Sequence, residues 1–140
     1  MIVRIVAPGE PELAQARALR HEVFVIGQNV PAELEIDEID PACDHAVAVV
    51  DGEVVGTGRL LPNGTIGRMA VADSNRGRGI GAAVLAELER RAAETGHAEV
   101  ELHAQLHAAP FYDKAGYVRA GDVYLEAGIE HVTMRKRLGS

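Results

Sequence analysis

Arg76-Gly77-Arg78-Gly79-Ile80-Gly81 is the stretch whose residue types and spacing point most directly to chemistry. It lies between an apolar strand-like run over 65–72 and a helical pattern that begins near Ile80. A glycine-rich turn entering a helix presents several backbone N–H groups at the helix's positive end, a natural site for anions and above all for phosphates. Two arginines in the turn add positive charge with a fork geometry suited to phosphate oxygens. A Walker loop would need a lysine directly after its glycines, and none is present. Gly77-x-Gly79-x-x-Ala82 does fit a dinucleotide fingerprint, and Glu99 and Glu101 fall near its acidic position. That fold needs repeated β-α-β units and a parallel sheet, whereas the strands before this turn are joined by hairpins and run antiparallel.

Other residues with chemical potential are less sharply placed. Glu33, Glu35, Asp37, Glu38 and Asp40 crowd into eight residues. Such a cluster either recognises a cationic substrate or is a solvated acidic loop. His103 and His107 flank the end of a strand; His103 is either a proton acceptor or a histidine hydrogen-bonded for structure. No histidine has metal-like spacing with carboxylates, so no metal is expected. Cys43, the one cysteine, excludes an internal disulfide and fits a cytoplasmic protein. The formal charge of −7 argues against a nucleic-acid partner. No run of eighteen apolar residues suggests a membrane span, and the N-terminus turns polar too early for a signal peptide.

The elements that must position these groups are legible from periodicity and turn residues. Ile2 to Val6 alternates as an opening strand. Pro11 suits a first helical turn, and Leu13, Ala16, Leu19, Val23, Phe24 and Ile26 predict an amphipathic helix over roughly 11–27. Residues 31–40 form a short helix or an ordered loop. Strands follow at 45–50, 53–61 and 65–71, turned at Asp51-Gly52 and Pro62-Asn63-Gly64. Ile80, Val84, Leu85, Leu88 and Ala92 lie on one face of a helix that Gly96 stops, with Glu87 and Arg91 spaced to pair outside. A strand at 98–105, a short helix at 107–115 and a hairpin of 117–125 with 129–138 complete one domain spanning residues 1–140.

Arg76-x-x-Gly79-x-Gly81 at a helix start, after Gly67-Arg68-Met69-Ala70-Val71, resembles the acyl-CoA-binding motif of the GNAT acetyltransferase superfamily. Leu102-His103-Ala104-Gln105, Ala108 and Phe111-Tyr112-Asp113-Lys114-Ala115-Gly116-Tyr117 resemble that family's next strand, helix and loop, although the family often has Asn at the position of Gln105. The segments around Gln28-Asn29-Val30-Pro31 and Glu35 to Asp40 are similar to a small bacterial subgroup of uncharacterised members, in which a Glu stands where Gly27 is found here. The resemblance implies a mixed, mostly antiparallel α/β fold, splayed to admit acyl-CoA. It implies backbone contacts to the CoA pyrophosphate from Arg76, Gly77, Arg78, Gly79, Ile80 and Gly81. Main-chain pairing with pantetheine falls to Met69, Ala70 and Val71, and a further cofactor contact to Gln105.

Tyr112 stands where the family places a general acid for the departing thiolate, and a neutral phenol has the proton to give. The implied activity is acetyl transfer from acetyl-CoA to a small-molecule or peptide amine, with Glu35, Asp37, Glu38 and His103 as candidate acceptor contacts. A non-catalytic acyl-CoA-binding sensor on the same fold is the alternative. The closing hairpin is a candidate for pairing in a homodimer.

Overall fold

The computed structural model describes residues 1–139. Its strands are β1 (Ile2–Val6), β2 (Asp44–Val50), β3 (Glu53–Leu60), β4 (Thr65–Val71), β5 (Glu99–Gln105), β6 (Val118–Glu126) and β7 (Ile129–Arg137). They form one sheet in the order β1-β2-β3-β4-β5-β7-β6, so β1 and β6 are its edges. Every neighbouring pair is antiparallel except β4 with β5. This is the mixed, mostly antiparallel α/β architecture that the resemblance implies. Hairpin chemistry accounts for the flanking pairs. Asp51 and Gly52 have φ of 51° and 79°, and Ala127 and Gly128 have 52° and 76°. Left-handed backbone at both central residues matches the twist of the strands that a two-residue turn joins.

Helices α1 (Pro11–Arg20), α2 (Ala32–Glu35), α3 (Ile80–Glu94) and α4 (Ala109–Lys114) pack around this sheet. The predicted face of α3, Ile80, Val84, Leu85, Leu88 and Ala92, is buried in the main core. Two glycines in β3 bring α3 close. A Cβ on Gly56 would lie 2.6 Å from Ile80 Cγ2, and one on Gly58 would lie 2.7 Å from Leu88 Cδ1. The first residue of α3 is thus seated against the sheet, which fixes where the helix N-terminus points. Gly56→Ala must displace the β-branched Ile80, a side chain with few rotamers to escape into. Urea denaturation is expected to record a loss of about 1–3 kcal/mol.

The first helix departs from expectation. Its α-helical part ends at Arg20, and His21–Ile26 continue as a π-helical segment. The wider winding breaks the three- and four-residue recurrence that would have kept Val23, Phe24 and Ile26 on the buried face. None of the six residues is buried, and Ile26 is 67% exposed. Leu13, Ala16 and Leu19 do pack inward, and Arg20 is buried with them. Surface pairing on α3 also differs: Glu87 pairs with Arg90, while Arg91 reaches Asp44 and Glu94. Among the described residues no helix is long and apolar enough to cross a membrane.

Candidate functional site

The sheet divides between its two parallel strands. β4 and β5 pair only at Thr65 with Glu101 and Ile66 with Leu102. Beyond that the ladder stops while both strands continue, leaving Met69, Ala70 and Val71 on one side of an opening and His103, Ala104 and Gln105 on the other. A β-bulge lies on the β4 side. Arg59 faces Gly67 and Thr57 faces Ala70, so two β4 residues, Arg68 and Met69, oppose Gly58 alone. Arg68 has φ of 52°. A left-handed non-glycine residue costs about 1–2 kcal/mol, so its side chain must return something.

The glycine-rich turn sits at the mouth of this opening. Gly77 and Gly79 have φ of 78° and 77°, and Gly79 is the residue that precedes α3. The turn lines a cavity of about 380 Å³ with Val71, Asn75, Ile80, Gly81 and Phe111. A Cβ on Gly81 would meet Phe111 Cζ at 3.5 Å, which is ordinary contact; no steric bar requires glycine there. Arg76 is exposed and pairs with Asp73, and Arg78 is exposed. Arg76 lines the cavity from its solvent side. Asn75 carried no sequence signal for this position, and Phe111 carried one only as part of the stretch 111–117 that shares the family resemblance. Phe111, an aromatic residue of the kind that usually fills a core, is 40% exposed and lines the cavity.

Tyr112 follows Phe111 on α4 and is buried, with 8% exposure. Its ring meets Phe111 edge-on at 5.0 Å and Tyr117 at 5.8 Å. Burial pushes its phenol up to about 12. Tyr117 is a core residue, and its hydroxyl donates to Glu89 at 2.7 Å. Burial, with Glu89 beside it, raises the Tyr117 phenol; burial and then Glu126 raise that of Tyr124. All three tyrosines are therefore shifted the same way. The unfolded chain ionises near pH 10 and the folded one later, so this contribution to stability is complete below pH 10 and is lost as pH rises toward 12. Absorbance at 295 nm is expected to show no titration step at pH 10 while the fold persists.

Three of the five carboxylates of the acidic segment, Glu35, Asp37 and Asp40, are taken up in internal ion pairs, while Glu33 and Glu38 face solvent. Glu35 and Asp40 are 2% and 0% exposed. Arg20 Nε donates to both Glu35 carboxylate oxygens at 3.1 and 3.0 Å, and Arg20 Nη1 donates to Asp40 Oδ1 at 2.8 Å. Arg59 donates to Asp37 and Asp40, at 2.8 Å in each case, and Arg17 Nε reaches Asp40 Oδ2 at 3.0 Å. Arg68 Nε lies 3.0 Å from Glu35 Oε2. Burial opposes the charge on Asp40, but Arg20, Arg59 and Arg17 outweigh it and hold the carboxyl at about 2. Hydrogen bonding from Arg59 likewise lowers Asp37. Four arginines surround three carboxylates, so the expectation of Glu35 and Asp37 as contacts for an ammonium gives way to an internal ion cluster. Glu38 remains exposed.

On the other side of the opening, Gln105 and Gln28 exchange two amide hydrogen bonds, at 3.3 and 2.8 Å, which tie the end of β5 to the segment after the π-helical turn. His103 Nε2 lies 3.2 Å from Glu101 Oε2, and its ring stands edge-on to Tyr124 at 6.1 Å. Cys43 is away from the opening, bonded to Ile39 O, and burial raises its thiol. Among the described residues no group of His, Cys, Asp and Glu is arranged to hold a metal.

A strand pair that parts beside a glycine turn and a helix N-terminus is a specific architecture, and the sequence profile of the acetyltransferase (GNAT) domain family matches residues 11–138. The chain belongs to the GNAT acetyltransferase family. It is 43% identical over 137 residues to the uncharacterized N-acetyltransferase YjcF of Bacillus subtilis, covering 94% of this chain and 97% of that one. An acyl-CoA N-acyltransferase from Pseudomonas aeruginosa superposes with a TM-score of 0.83 at 32% identity, over 96% of this chain and 97% of the other. A GNAT acetyltransferase from Elizabethkingia anophelis, solved with acetyl-CoA bound, shares the fold with a TM-score of 0.73 at 17% identity, over 98% and 97% of the two chains.

Proposed function

We propose that this GNAT protein transfers an acetyl group from acetyl-CoA to a primary amine by direct attack, in a cytoplasmic setting. The observation that carries the reading is the opening between β4 and β5, with the anion-suited turn of α3 at its mouth and Tyr112 beside the turn's aromatic wall. The left-handed glycines and the cavity suit a pyrophosphate held by backbone N–H groups from Arg76 to Gly81. The free main-chain edges of Met69, Ala70 and Val71 suit the amides of a pantetheine arm, with Gln105 across from them.

The bookkeeping of the step is simple. The amine nitrogen forms a bond to the thioester carbonyl carbon, the carbon–sulfur bond breaks, the sulfur takes a proton and the amine gives one up. Tyr112 supplies the hydrogen-bond donor for sulfur. A lysine-like amine is neutral in only about one part in a thousand near pH 7.4, a deficit of roughly 4 kcal/mol. His103, on β5 where the opening begins, is the candidate we put forward to accept that proton. The ion cluster leaves Glu33 and Glu38 as the exposed carboxylates of the segment, and Glu38 is the candidate contact for a cationic acceptor.

Calorimetric titration with acetyl-CoA tests the reading, with NAD and ATP as controls. Selective binding of acetyl-CoA is expected, and Gly79→Val should weaken it at least tenfold because a β-branched residue resists the left-handed backbone. Saturation by NAD without acetyl-CoA would overturn the assignment. The internal use of Glu35, Asp37 and Asp40 favours a second reading, a binding module that senses acyl-CoA. Release of CoA thiol with any of a panel of amines would remove it.

A further inference from the structure

We infer that Arg68 is a positioning residue: its guanidinium, fastened to the 34–37 segment, holds the left-handed bulge that sets how the β4 main chain faces the opening. The inference rests on the acetyl-CoA reading above for its functional consequence, and on geometry for the rest. Arg68 occupies a backbone conformation that glycine adopts freely, with a glycine immediately before it in the chain. Backbone strain of this kind persists only where the surroundings over-determine it, and here the surroundings are specific. Arg68 Nε donates to the Glu35 carbonyl at 3.1 Å and lies 3.0 Å from the Glu35 carboxylate. Arg68 Nη2 donates to the Leu34 carbonyl at 3.0 Å and to Asp37 Oδ2 at 3.4 Å. Glu35 is itself fixed by the buried Arg20. The bulge is therefore anchored through one side chain to a rigid ion cluster on the α1 side of the sheet.

The bulge matters because of where it falls. It begins two residues beyond Ile66, the last β4 residue paired with β5. An extra residue in a strand inverts every position that follows, since side chains and main-chain groups alternate with a period of two. With the bulge in place, Met69 lies against the position of Gly58 on the α3 side, and Val71 lies against Gly81 of the glycine turn. Ala70 then pairs with Thr57. A straightened β4 would exchange these faces and would present the alternate set of N–H and C=O groups to the opening. The ion cluster thereby controls the lining of the site although it contributes no atom to it.

Three proteins, wild type, Arg68→Gly and Arg68→Lys, test this by calorimetry with acetyl-CoA and with ADP, together with amide exchange over residues 65–71 and a thermal melt. ADP carries a pyrophosphate without a pantetheine arm. Arg68→Gly relieves the backbone while removing the anchor, so it is expected to fold with a melting temperature near wild type. Its affinity for acetyl-CoA should fall about tenfold, about 1.4 kcal/mol, with ADP binding unchanged and faster exchange over 65–71. Arg68→Lys should recover part of the loss. Wild-type acetyl-CoA affinity in Arg68→Gly would overturn the inference, and so would equal losses for both ligands accompanied by a fall in melting temperature. Should wild type bind neither ligand, the acetyl-CoA reading fails by itself; exchange over 65–71 then decides this one, with unchanged exchange in Arg68→Gly overturning it.

Discussion

Tyr112→Phe is expected to lower turnover about a hundredfold while acetyl-CoA affinity stays within about threefold of wild type. Phe keeps the ring, and with it the edge-on contacts to Phe111 and Tyr117 that fill this part of the core. Only the hydroxyl is lost, so stability should change little and the kinetic effect can be assigned to the donor. The wild-type pH profile adds an independent check. With its phenol near 12, Tyr112 keeps its proton well above the range in which an ordinary tyrosine ionises. No fall in turnover centred near pH 10 should arise from this group. Steady-state rates of CoA-thiol release from pH 7 to 10.5, for both proteins, measure the two effects together. Equal turnover would remove Tyr112 from the reaction and leave it as a packing residue.

Asp40→Asn is expected to destabilise the protein by about 3–5 kcal/mol, because it breaks a buried ion cluster. Asp40 is fully buried and receives hydrogen bonds from Arg17, Arg20 and Arg59. Neutralising it leaves buried guanidinium charge without its counter-ion, and Arg59 Nε already lacks a partner. Acid sensitivity follows from the same contacts. The Asp40 carboxyl titrates near 2 in the folded chain against an ordinary value of 3.8. Its contribution, roughly 2 kcal/mol, is present above pH 4 and is lost as pH falls through the folded value. Urea midpoints between pH 7 and pH 2 should fall more steeply for wild type than for Asp40→Asn. Parallel slopes would show that acid unfolding is governed elsewhere.

The glycine turn, the hairpins at Asp51-Gly52 and Ala127-Gly128 and the buried face of α3 were legible because each rests on local chemistry. A turn residue announces its backbone, and a helix face announces its period. The acidic cluster was visible but its meaning was not, because its partners lie in α1, β3 and β4. A signal did exist: Arg17 and Arg20 share a helix with its apolar face, and Arg59 sits in a strand that is otherwise buried. Three arginines at such positions need counter-ions, and the only dense supply is 33–40. The Arg68 bulge had no local signal, since arginine is not a residue that marks left-handed backbone. The π-helical turn escaped for a related reason: Val23, Phe24 and Ile26 keep a helical spacing in sequence that the wider winding does not honour.

The short parallel seam has a consequence for how the molecule comes apart. Two residue pairs join a block of β1 to β4 to a block of β5 to β7, each of which is laced internally by long antiparallel ladders. Such a sheet has a mechanical weak line, and native-state exchange should resolve two protection classes that meet at it. A ligand lodged across the seam would act as a rivet between the blocks. At a hundredfold excess over its dissociation constant it would add about 2.7 kcal/mol to the equilibrium stability of the joined sheet.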